Sequence, residues 1–140
     1  MRRAIDTNVV VRFLVDDGSQ EVPIAREVFR SGAVEISSSV MLECEWVLRS
    51  IYKIRPEAIC EGFTALLNLE NVFVRDRDIV AAAIDAYRNG LDFADATHLF
   101  MTEKSEEFLT FDGHFRKTAA RLNEALPVRT PTLQTLERKT

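Results

Sequence analysis

The sequence predicts an α/β fold: a mainly parallel sheet of about four or five short strands, flanked by α-helices. Three observations lead there. Short apolar runs such as Val72-Phe73-Val74 alternate with longer segments of helical periodicity. Capping and stop residues punctuate the junctions between them. Strands that are separated by helices must pair in parallel through crossover connections.

Each element has its own justification. Arg3 to Asp6 reads as a short buried strand. Asn8 to Val15 reads as a helix, although Val9-Val10-Val11 would also suit an extension of the strand. Asp16-Asp17-Gly18 is a turn. Ser19 to Arg30 is a helix with Ile24, Val28 and Phe29 inward, ended by Gly32. Val34 to Ile36 is the second strand. Ser37-Ser38-Ser39 offers N-caps for a helix to about Tyr52, whose inward face is Val40, Cys44, Val47, Leu48 and Ile51. Pro56 opens a helix to about Leu69. Val72 to Val74 is the third strand. Asp76 to Asn89 is a helix closed by Gly90, and Asp92 caps a further helix to about Lys104. Phe108 to Phe111 is the fourth strand, followed by a helix from Phe115 to Leu122. Val128-Arg129 is a last edge strand, and a short helix follows Pro131. No repeat or linker interrupts the pattern, so a single domain over residues 1–140 is expected.

Composition narrows the function. Of the 140 residues, 46% are hydrophobic and 29% charged, enough for a core and unlike a disordered chain. The absence of a long apolar run argues against a membrane span, and the early acid at Asp6 against a signal peptide; a cytoplasmic protein is expected. The net charge of -4 disfavours a general high-affinity nucleic-acid binder. It does not exclude a nuclease, because a carboxylate metal site itself supplies negative charge. Arginine makes up 14 of the 18 cations, which suits phosphate contact as well as solvated helix faces. Cys44 and Cys60 lack metal or redox spacing and read as buried free thiols.

Four acids stand beside apolar sequence, where acids are uncommon unless paired or bound to a cation. Asp6 follows the first strand and Asp112 the fourth. In parallel sheets ligands gather at the carboxyl ends of strands. Glu43 sits on the rim of its helix's buried face, while Glu45 reads as solvent-facing. Asp95 lies one turn before Leu99, flanked by small Ala94 and Ala96. Each has a plainer reading as a helix cap, turn residue or dipole partner. Asp92 in particular fits an N-cap, with Asp95 at the third helical position.

Four segments carry a resemblance. Ile5-Asp6-Thr7-Asn8-Val9-Val10-Val11-Arg12-Phe13-Leu14 resembles the N-terminus of PIN-domain ribonucleases, closest to VapC-type toxins of bacterial toxin–antitoxin pairs. Ser39-Val40-Met41-Leu42-Glu43-Cys44-Glu45-Trp46-Val47-Leu48 resembles the family's helix with its essential Glu. Gly90 to His98 resembles its central acidic motif, and Phe108 to Phe115 its last one. The resemblance implies a PIN-like parallel sheet flanked by helices and metal-dependent endoribonuclease activity. It also implies a cognate antitoxin and a homodimer. Residue by residue, it implies that Asp6, Glu43, Asp95 and Asp112 are the catalytic metal-binding acids. Asp92 is an additional candidate ligand, and Asn8 and Thr110 are supporting groups that hydrogen-bond ligands or water.

The chemistry agrees with such a set. Hydrolysing an RNA phosphodiester needs an activated water and relief of transition-state charge, which Mg²⁺ or Mn²⁺ supplies through oxygen ligands. With only His98 and His114 and no Cys/His cluster, zinc is disfavoured. Carboxylates about 4 Å apart repel by roughly 4 kcal/mol per pair at an effective dielectric near 20, so a converging set attracts a cation. His98 reads as packing, Arg12 as solvated or a phosphate contact, and Trp46 as core or the wall of a partner groove. Two other functions stay open: an aspartate-nucleophile phosphatase using Asp6, which lacks the usual second Asp at the position of Asn8, and a non-catalytic binding module.

Overall fold

The structure is a computed structural model that describes residues 1–122 and 126–137; the expected domain span of 1–140 thus includes residues 123–125 and 138–140, which lie outside the described residues. The elements run β1 (Arg2–Ala4), α1 (Thr7–Leu14), α2 (Glu21–Arg30), β2 (Ala33–Ile36), α3 (Ser38–Ser50), α4 (Pro56–Leu67), β3 (Val72–Val74), α5 (Arg77–Arg88), α6 (Phe93–Met101), β4 (Phe108–Leu109), α7 (Gly113–Arg121), β5 (Val128–Arg129) and α8 (Leu133–Glu137). This is the α/β order read from the sequence, with boundaries moved by a few residues.

The strands are parallel, but they form two sheets: β1-β2-β3, and β4-β5. Val34 pairs with Val72 and Ile36 with Val74, and all four are buried. Alternation sends Glu35 and Phe73 to the other face, where the Arg2 guanidinium lies 4.0 Å from the Phe73 ring centroid. β1 is not the buried strand that was expected. All three of its residues are exposed. A strand flanked on both sides must offer apolar side chains on both faces; Arg2 and Arg3 do not, and β1 stands at the sheet edge.

The core joins the sheet to helices α1 and α3 to α6, with Phe29 of α2 and Phe115 and Ala119 of α7 completing it. Phe63 and Phe93 are nearly fully buried, with ring centroids 5.6 Å apart, and Tyr87 packs on Phe93 at the same distance. Two helical faces differ from expectation. In α2, Val22, Ala25 and Phe29 turn inward and Ile24 is exposed. The stacking of Phe29 on Phe13, 3.7 Å between centroids, sets that rotation. In α3 the inward stripe is Met41, Cys44, Glu45 and Leu48. Ile51 and Trp46 are exposed instead, and Glu45 faces the interior rather than solvent.

Candidate active site

Asp6, Asp92 and Asp112 are N-caps, and each does the same local work. Asp6 accepts the Thr7 N–H at 2.8 Å, Asp92 the Asp95 N–H at 3.0 Å, and Asp112 the Phe115 N–H at 3.1 Å, each through Oδ1. These bonds satisfy donors that have no partner within the helix. The plainer reading of Asp6 and Asp92 as helix caps is therefore correct as far as it goes, and Asp112, read as a turn residue, is a cap as well. Capping engages one carboxylate oxygen, and the second still bears charge at a helix N-terminus.

The acids fall into two neighbourhoods. In the first, the Thr7 hydroxyl donates to Glu43 Oε1, tying the start of α1 to α3. Cys44 lies beside this pair. Burial pushes its thiol up to about 12, and the negative charges of Glu43 and Asp6 add to the rise. Both cysteines are free and buried, as expected. In the second neighbourhood, Asp95 is half-buried. Its carboxyl is raised first by burial, then by the charges of Asp92 and Asp112, against a smaller opposing effect of His98 and His114. Helix α3 packs against both α1 and α6, the helices that begin at Asp6 and Asp92.

Other candidates separate in rank. Thr110 accepts the Asp112 N–H at 3.0 Å and so shapes that turn. Asn8 is exposed on the first turn of α1. Arg12, in the last turn of α1, approaches Glu21 at 3.7 Å, at the far end of the helix from Asp6. Sequence reading missed two residues. Thr7 is buried and orients Glu43. Glu45 is buried and accepts from the Tyr87 hydroxyl at 2.6 Å and from Arg49 Nε at 2.7 Å. A signal for Glu45 existed: it is four residues from Met41 and three from Leu48, on the same helical stripe.

The Glu45–Tyr87 bond joins α3 to α5 just before the Gly90-Leu91-Asp92 turn. Burial, then Glu45, raises the Tyr87 phenol, which stays a donor throughout the physiological range. Tyr87→Phe is expected to destabilise the protein by about 1.5–3 kcal/mol, the value of a hydrogen bond to a charged group. A urea midpoint equal to the parent's would show that Glu45 finds water instead.

The donors suit a hard cation: carboxylates and a hydroxyl, with no sulfur or imidazole set. Among the described residues, no three His, Cys, Asp or Glu side chains form a ready-made ligand cluster. That does not conflict with Mg²⁺, which is commonly held by one or two carboxylates and several waters. The caps leave one oxygen each on Asp6, Asp92 and Asp112 for such a role.

A family model for the PIN domain matches residues 4–121. The chain belongs to the PIN domain family. The match contains Asp6, Glu43, Asp92, Asp95 and Asp112, and leaves β5 and α8 outside it. PIN domains are generally nucleases, which are hydrolases of nucleic acids, and they usually use divalent metal ions. No curated protein matches the chain. No helix among the described residues of this PIN domain is long and apolar enough to cross a membrane.

Proposed function

We propose that this PIN domain is a metal-dependent endoribonuclease and the toxin of a toxin–antitoxin pair of the VapC type. In this reading it is a cytoplasmic homodimer of single-domain chains, neutralised by a cognate antitoxin. One observation carries the catalytic part: Asp95 is half-buried among the charges of Asp92 and Asp112, and its carboxyl is raised accordingly. Repulsion of that kind favours uptake of a cation. The toxin role and its partners rest on the four matched segments described above.

In this mechanism Asp6, Glu43, Asp95 and Asp112 would hold Mg²⁺ or Mn²⁺, with Asp92 as a further ligand. When bound, the ion supplies an activated water and charge relief at the phosphate. Thr7 keeps the Glu43 carboxylate oriented through its hydroxyl. The capping bonds hold Asp6, Asp92 and Asp112 against rotation, which reduces the reorganisation needed when substrate arrives. Thr110 fixes the backbone of Asp112.

The test is incubation of the purified protein, freed of partners, with structured RNA and Mg²⁺ or Mn²⁺. Cuts that disappear with chelator and in Asp6→Asn are expected. Intact RNA alongside phosphate release from a small monoester would replace this reading with the phosphatase. Growth arrest on expression that persists in Asp6→Asn and Glu43→Gln would sever toxicity from catalysis.

A further inference from the structure

We propose that the cavity beside Asp92 is a nucleobase subsite that selects guanine next to the scissile phosphate; the inference rests on the nuclease reading above. The cavity has a volume of about 320 Å³ and is lined by Pro56, Glu57, Tyr87, Arg88, Leu91 and His114, together with Gly90 and Asp92. That is within the range of small-ligand sites, about 300–1,000 Å³. Two larger clefts, of about 540 and 550 Å³, contain none of the acidic candidates. This one includes the first residue of the α6 acid pair, so a ligand there lies against the proposed reaction centre.

The lining decides between a base and a phosphate. Glu57 and Asp92 are both acids, against one guanidinium from Arg88, so the wall carries no net positive charge. The wall's own side chains therefore give a phosphate no net attraction, and the phosphate's place is at the cation proposed above. A neutral heterocycle needs none, and the exposed Pro56 ring offers it an apolar contact, with Leu91 and Tyr87 buried behind the wall. Guanine is the base with acceptors on one edge, O6 and N7, and donors on another, N1–H and N2–H. A guanidinium reads the first edge in bidentate fashion. A carboxylate accepts from the second. Arg88 and Glu57 supply that pair, and neither forms an ion pair with another described residue.

The wall is also preorganised, which limits the ordering cost of binding. Tyr87 is anchored by its bond to Glu45. The rim at Asn89-Gly90 is held by Arg121, whose Nη2 donates to the Asn89 carbonyl at 2.6 Å. Gly90 has φ +109°, and a Cβ there would lie 3.1 Å from that same Nη2. Any other residue at position 90 would strain the backbone and press on the rim contact.

Two measurements test the subsite. The first maps cut positions in a random-sequence RNA pool with Mg²⁺ or Mn²⁺. Guanine should be enriched at one fixed position beside the cut, and Arg88→Ala and Glu57→Gln should each lower its preference on the order of tenfold. Base preference at the other positions around the cut should match the parent's in both variants. The second titrates guanosine and uridine into the parent and the Arg88→Ala protein by NMR. Guanosine should shift the Gly90 and Leu91 amides of the parent only. Cleavage with an unchanged pattern in both variants overturns the subsite and leaves the nuclease reading intact. Absence of any RNA cleavage overturns the nuclease reading and with it the subsite's place beside a scissile phosphate, whereas equal shifts with guanosine and uridine, or none, overturn the subsite itself.

Discussion

Asp95→Asn is expected to cut RNA at least about a hundredfold more slowly than the parent while folding as stably or more stably. A bound cation contributes several kcal/mol of charge stabilisation to phosphoryl chemistry. Weakening its hold by about 3 kcal/mol corresponds to about a hundredfold in rate. Stability should move the other way. The Asp95 carboxyl is raised above its ordinary 3.8 by burial and by two like charges. Between 3.8 and the raised value, the folded protein therefore binds a proton that the unfolded chain has released. Stability falls as pH rises through that window, because the folded state holds more protons there. With chelator present, denaturant titrations of the parent should show this loss, and Asp95→Asn should not. Parental cleavage rates in Asp95→Asn would remove Asp95 from the reaction.

Phe63→Ala is expected to be the most destabilising single truncation, at about 3–5 kcal/mol. Phe63 is fully buried and its ring meets Phe93, which in turn meets Tyr87. Its removal opens a cavity where α4 faces α5 and α6, and the rigid neighbours can close it only in part. A domain of this kind has about 5–15 kcal/mol in total, so the urea midpoint should fall steeply. Phe111→Ala is the internal control. That ring is 84% exposed, and its loss should stay within about 0.5 kcal/mol. A similar loss at both positions would contradict the packing described here.

Element by element, the local signals were readable because they act over a few residues. Asp92 with Asp95 is a cap pair spaced three apart and formed as spaced, whereas Asp112, read as a turn residue before Gly113, caps the following helix at Phe115. The strand at Val72 to Val74 was legible as an unbroken apolar run, and that at Val34 to Ile36 as alternation about Glu35. The failures share a cause. Glu45 looked solvent-facing because its partner Tyr87 is 42 residues away. Thr7 passed unnoticed because Glu43 is 36 residues away. The exposure of Trp46 followed from the same rotation of α3 that turned Glu45 inward.

The sequence by itself determined the order of helices and parallel strands, the capping acids and the PIN pattern, since these depend on local periodicity, backbone donors and short spacings. Only the tertiary structure decided that β4 and β5 form a separate sheet, that Glu45 is interior, and that Arg88 and Glu57 share a cavity with Asp92. The physical reason is range. Caps and stripes are settled within a turn or two of helix. Burial of a charge and the lining of a cavity depend on which distant side chains arrive opposite it.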